Sequence, residues 1–158
     1  MGLSCPTVTG AGTGTFRNEA SSGVYTELQA GSYAFMDVDY ATNQVEGEPF
    51  EHSLFVLSSV MSVTGKDFVV LDAGLKSMSG DSGLPSVWNR SDLTIAGLSD
   101  EHTKVMLAPT SRRPKLRDRF KLLPSHCDPT INLHDEFVCI RNDHVEAIWK
   151  IGARGMSW

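Results

Sequence analysis

The chain has 158 residues, 41% of them hydrophobic and 21% charged, with a formal net charge of −5, enough chain for one domain with a packed core. The acidic balance argues against a general nucleic-acid or anionic-membrane binder, which needs a basic surplus, and no apolar run reaches the roughly 20 residues that span a bilayer. Cys5, Cys127 and Cys139 are odd in number with no CxxC pair, which speaks against a disulfide framework or zinc knuckle, and residues 1–14 lack the charged and apolar regions of a signal peptide; the expected compartment is the reducing cytoplasm.

Residues 6–9 read as the end of a strand that runs into Gly10-Ala11-Gly12-Thr13-Gly14-Thr15. No earlier element exists for that strand to pair with, so the rest of its sheet is expected upstream of this sequence. The loop can turn successive backbone N–H groups and two threonine hydroxyls toward an anion. Its third glycine falls one residue early for a dinucleotide fingerprint, and no Lys-Ser/Thr follows as a P-loop requires. A flexible turn is the alternative. A second small-residue turn, Gln29-Ala30-Gly31-Ser32-Tyr33, follows closely. Two such loops after consecutive strands suit a phosphate at the C-terminal face of a barrel.

Residues 24–28 and 33–38 read as strands. Further strands are expected at 53–63, 67–71, 104–107, 119–123, 136–141 and 145–151, separated by Gly, Pro and Asn/Asp clusters. No segment holds a helical period over three turns. The pattern predicts a mainly β fold, a sandwich or barrel. A boundary is expected near residue 45, with a domain fragment over 1–45 and an all-β domain over 46–158.

Pro124 ends the strand at 119–123. His126 and Asp128 then fall on one side of an extended turn, because side chains alternate along extended backbone. An imidazole and a carboxylate two apart can share one divalent cation such as Zn or Mn and leave open positions for chemistry. A plain hydrogen-bonded pair is the alternative. Cys127 is expected to point away. His134-Asp135 reads as a surface pair rather than a supporting partner.

Other residues have simpler readings. Lys76 follows a Gly turn and reads as solvated or ion-paired rather than as a Schiff-base lysine. Asp37 and Asp39 resemble the start of an EF-hand loop, but the required Gly and Glu are missing. Glu101-His102 fits the start of a short helix after Ser99. The basic run at 112–121 reads as a half-buried strand with a charged face. Trp88, Trp149 and Trp158 read as core or interface anchors.

Six segments in this order and spacing carry a family resemblance: VTGAGTGTF (8–16), ELQAGSYAFMD (27–37), VVLDAGLKSMS (69–79), LSDEH (98–102), LLPSHCDPTINLHD (122–135) and WKIGARG (149–155). Together they resemble the D-threonine aldolase and D-serine dehydratase-like family of pyridoxal-phosphate enzymes. The resemblance implies an alanine-racemase-like architecture, with the last strands of a cofactor-binding (β/α) barrel followed by a C-terminal β domain. It implies that Gly12, Thr13, Gly14, Thr15, Gly31, Ser32 and Tyr33 hold the pyridoxal 5'-phosphate group. It implies that His126 and Asp128 ligate a divalent metal (Mn, Zn, Co or Mg). Gln29 falls where related racemases face the pyridine nitrogen. By this resemblance His-x-Asp is the pattern of the aldolases and of some hydroxyaspartate-acting relatives, whereas dehydratases of the D-serine type carry His-x-Cys, which tilts the expected chemistry toward aldol cleavage.

Nothing in the sequence matches the family's Schiff-base lysine, which lies upstream in the barrel, so its catalytic lysine is not in this chain. The implied enzyme is a homodimeric, metal-assisted lyase that cleaves D-3-hydroxy amino acids, D-threonine giving glycine and acetaldehyde. A D-serine or D-3-hydroxyaspartate dehydratase is the second reading. A non-catalytic β module that lacks its N-terminal barrel half is the third.

Overall fold

The structure, a computed structural model, describes residues 2, 4–43 and 50–156. The first part is a small parallel unit. Strand β1 (Thr9–Gly10) leads through helix α1 (Phe16–Ser21) to β2 (Glu27–Leu28), and β1 pairs with β2 in parallel. Parallel neighbours require such a crossover. Only the end of the expected strand at 24–28 pairs.

The expected strand at 33–38 does not form. A 3-10 turn occupies Ser32–Ala34 and helix α2 occupies Val38–Ala41. Asp37 caps α2 by accepting the Tyr40 N–H at 2.8 Å, and Met36 turns the chain with φ 55°. The apolar character of this stretch reflects burial of Met36 in a cap, not the alternation of a strand. The boundary expected near residue 45 lies outside the described residues.

The larger part is an antiparallel barrel. Its strands are β3 (Val56–Ser62), β4 (Phe68–Leu71), β5 (Ser86–Val87), β6 (Leu93–Leu98), β7 (Thr103–Leu107) and β8 (Arg119–Leu123). They line up as β5-β8-β3-β4-β7-β6, and β5 lies against β6, so the sheet nearly closes. Closure needs local bending, and bulges between Val60 and Ser62 and between Ile95 and Gly97 supply it.

Alternation decides what faces inward. In β8, Phe120 and Leu122 are buried while Arg119 and Lys121 are exposed. The basic run therefore does end in a half-buried strand with a charged face. Inward residues Val60, Val69, Leu71, Ile95, Val105 and Leu122 join Met78 in one core. Burying side chains of this size gives about 1.5–3 kcal/mol each before entropy is counted.

The expected helix after Ser99 is instead the turn joining β6 to β7. Ser99 N–H donates to His102 C=O at 2.8 Å. The backbone there is already engaged, because Leu75 N–H bonds Ser99 C=O and Lys76 N–H bonds Asp100 C=O, each at 2.9 Å. Lys76 is exposed and paired with Glu101 at 2.7 Å.

Helix α3 (Cys127–Ile131) follows β8, and a hairpin of β9 (Glu136–Arg141) and β10 (His144–Lys150) ends the described fold. Asn142 and Asp143 both have positive φ, as a two-residue type I′ turn demands. The described helices span six residues or fewer. None is long and apolar enough to cross a membrane. Trp88 is half-buried against Phe55 and His52, whereas Trp149 is exposed. Trp158 lies outside the described residues.

Candidate functional site

The two glycine-type loops come together. Gly12 C=O accepts from Thr15 and Phe16 N–H, which winds residues 12–16 into the start of α1. Buried Thr13 sends its hydroxyl oxygen to the Tyr33 N–H at 3.0 Å. Ser32 is buried beside it, while Gly31, Tyr33 and Thr15 are exposed. One contact thus joins residues 12–15 to residues 31–33 across 20 positions of sequence.

His126 and Asp128 also come together, but not along an extended turn. His126 is the extended residue before α3, and Asp128 lies in that helix's first turn. Pro129 is the third residue of this helix, an early position where a missing N–H costs little. The reversal sets His126 Nε2 4.0 Å from Asp128 Oδ2. Two metal–ligand bonds of about 2.1 Å span at most about 4.2 Å, so both atoms lie within reach of one divalent cation, and a tetrahedral angle at it brings them closer by about 0.6 Å. Asp128 is mostly exposed, which leaves room for water or substrate on the cation. Cys127 does not point wholly away: its Sγ is buried and donates to Asp128 Oδ1 at 3.1 Å.

Asp81 completes the arrangement. Its Oδ2 lies 2.9 Å from His126 Nδ1, and Ser79 Oγ donates to its other oxygen. A carboxylate only accepts, so Nδ1 carries the proton and neutral His126 presents a bare Nε2 toward Asp128. A carboxylate behind an imidazole is the usual support for a metal-binding histidine. The segment is tied down further by Ser125 Oγ to Ser79 C=O at 2.9 Å and by Ser79 N–H to Thr130 Oγ1 at 3.0 Å. Among the described residues no group of three His, Cys, Asp or Glu is poised for one ion, so His126 and Asp128 stand as a two-residue pair.

The charges are set accordingly. Partial burial pushes the His126 pKa down, but the Asp81 hydrogen bond and the charges of Asp81, Asp128 and Asp37 outweigh it, and the net direction is up. A cation at Nε2 therefore has to displace a proton held more firmly than usual. Asp81 is held below the usual carboxylate value, first by the Ser79 hydroxyl and then by His126. Burial, with help from Asp128, pushes the Cys127 thiol up to about 12. A thiol so placed is protonated and unreactive at neutral pH.

Sequence reasoning did not find Asp81. It sits in Gly80-Asp81-Ser82-Gly83, which reads only as turn punctuation. His134 is not paired with Asp135 in the expected way, since its Nε2 meets Ser77 C=O at 2.7 Å.

Residues 53–140 match the family model described as "Putative serine dehydratase domain". The chain belongs to that family. The D-threonine aldolase and D-serine dehydratase-like assignment covers more than the matched domain. A D-threonine aldolase of an Arthrobacter species is 52% identical over 157 residues, covering 99% of this chain and 41% of that protein. The 3-hydroxy-D-aspartate aldolase of Paracoccus denitrificans is 45% identical over 163 residues, covering 99% of this chain and 42% of that protein. The crystal structure of D-threonine aldolase from Filomicrobium marinum superposes with a TM-score of 0.93 at 44% identity, covering 99% of this chain and 44% of that one. The chain thus spans about two fifths of the length of the curated relatives it matches, and corresponds to their C-terminal part.

Proposed function

We propose that this chain is the C-terminal part of a lyase that uses pyridoxal 5'-phosphate and a divalent metal to cleave D-3-hydroxy amino acids, with D-threonine giving glycine and acetaldehyde. The observation that carries the reading is the His126–Asp128 pair, 4.0 Å apart, with Asp81 behind the imidazole. The aldolases to which the chain is similar support the choice of aldol cleavage over dehydration.

Residues 1–45 are read as the end of the cofactor-binding barrel and residues 46–158 as the β domain. The parallel β1–α1–β2 unit supports that division. Thr13 and Gly14 offer backbone N–H groups to the cofactor phosphate with the Thr13 and Thr15 hydroxyls beside them, the Gly12 and Thr15 amides being spent on shaping the turn, and Gly31, Ser32 and Tyr33 close the same cradle. The bound pyridoxal ring supplies an electron sink for the bond-breaking step. The metal supplies a Lewis acid for the substrate's β-hydroxyl. His126 Nε2 and Asp128 Oδ2 hold that metal, and Asp81 keeps the proton on Nδ1. The lysine and the base come from the remainder of the enzyme, which is read as a homodimer.

The test is complementation. The chain is mixed with the N-terminal part of the Arthrobacter aldolase, pyridoxal phosphate and Mn(II), and offered D-threonine. Acetaldehyde and glycine are expected from the mixture but not from the chain alone, and chelation should remove the activity. Keto acid and ammonia would establish the dehydratase reading instead. Equal aldehyde yield after thorough chelation would remove the metal from the reaction.

A further inference from the structure

Asp37 is a buried carboxylate, fully shielded from solvent, and burying a carboxylate is costly unless each oxygen is bonded. Both are. Oδ1 accepts the Tyr40 N–H at 2.8 Å, which caps α2. Oδ2 accepts the Cys127 N–H at 2.7 Å, from a residue 90 positions away that opens α3. A hydroxyl or amide would cap α2 alone just as well. A carboxylate serves two helix starts at once because it has two acceptor oxygens and no donor.

The neighbouring backbone follows the same path. Val38 N–H donates to Pro124 C=O and Asp39 N–H to Ser125 C=O, each at 3.0 Å. Asp37 C=O also receives His52 Nε2 at 3.3 Å. Residues 37–39 are thereby laced to residues 124–127. Asp37 lies five positions after Ser32, and Cys127 separates His126 from Asp128. The one carboxylate connects α2 to the backbone that presents both metal ligands, and α2 follows the 31–33 loop through the turn in which Met36 N–H donates to Ser32 C=O at 2.7 Å.

We propose that Asp37 is a positioning residue that fixes the His126–Asp128 pair relative to the 31–33 loop. The inference rests on the metal-site reading given above. Asp37 touches neither metal nor substrate. It holds the Cys127 amide, and so sets where the chain reverses between the two ligands. Asn at this position keeps one acceptor but turns an N–H₂ donor against an N–H donor, so one of the two bonds must break.

Metal binding to the chain tests this, with Mn(II) as the probe, read by electron paramagnetic resonance. The unaltered chain should bind one Mn(II), and His126→Ala and Asp128→Ala should abolish binding. Asp37→Asn should weaken the Kd at least about tenfold with unchanged circular dichroism. Asp39→Asn, an exposed carboxylate two positions away, should leave the Kd unchanged. A role confined to stability would lower Tm without moving the Kd of the folded variant, and that outcome overturns the proposal. If Asp37→Asn fails to fold, hydrogen exchange on the unaltered chain decides. Mn(II) should slow exchange at 38–43 as well as at 127–131, because coupling between sites is reciprocal. Protection confined to 127–131 overturns the proposal. Absence of Mn(II) binding, or binding insensitive to His126→Ala, removes the metal site itself and the inference with it.

Discussion

Ala11 sits at φ 76°, in the left-handed region where a Cβ crowds the following carbonyl at a cost of about 1–2 kcal/mol. Glycine would remove that strain and give back part of the gain through a freer unfolded chain. Ala11→Gly is expected to stabilise the folded chain by about 0.5–1 kcal/mol, seen as a higher urea midpoint at constant slope. A lowered midpoint would mean that Ala11 does not hold this backbone angle in solution. The alanine in this glycine-rich loop is visible in the sequence, but the angle that gives it an energy is not. The same divide runs through the site. His126 and Asp128 were legible because they stand two apart. The reason for their meeting was misjudged, since a helix start, not extended backbone, reverses the chain between them. Asp81 and Asp37 lie 45 and 90 residues from their partners. No local pattern records contacts of that separation.

At the level of elements, strands with clean alternation were legible. β8 and β9 fall at the expected bounds, and β3, β4, β7 and β10 fall within a few residues. β5 has two residues and β6 contains a bulge before Gly97, so neither shows a period long enough to read. The stretch at 33–38 has strand-like composition but is overridden by the Asp37 cap. Gly74 shows how one position fastens two elements. A Cβ there would stand 2.3 Å from Ser99 O and 2.4 Å from His102 N. Both are backbone atoms of the β6–β7 turn, and that turn is bonded to Leu75 and Lys76. Gly74→Ala must push the turn off and break those bonds. The expected loss is about 3 kcal/mol, measured by chemical denaturation. Lys76→Ala, which removes only an exposed ion pair, should cost far less. Equal effects of the two substitutions would show that the turn moves freely.

Across the whole molecule, the seams of the barrel are held by carboxylates whose pKa values lie below their usual range. Asp72 joins β3 to the chain after β4. Burial raises its pKa, but the Ser59 N–H and Ser58 hydroxyl bonds, each at 2.8 Å, prevail and lower it. Glu101 is lowered by Lys76. Asp92 stands between β5 and β6, where the barrel closes, and is held well below the usual carboxylate range, chiefly by its two bonds from Arg90 at 2.7 and 2.8 Å. The unfolded chain protonates these groups near 3.8 for aspartate and 4.5 for glutamate, while the folded chain resists until lower pH. In that window the unfolded state binds more protons, so stability rises with pH. Their contribution is present above the unfolded values and is lost as pH falls through the folded ones. The urea midpoint should therefore decline from about pH 4.5 downward. Asp92→Asn removes the group with the deepest shift, so its midpoint should start lower at neutral pH and decline less steeply in acid. Parallel curves for the two chains would mean that the Arg90–Asp92 pair does not persist in solution, and that the closing edge of the barrel is held by apolar packing alone.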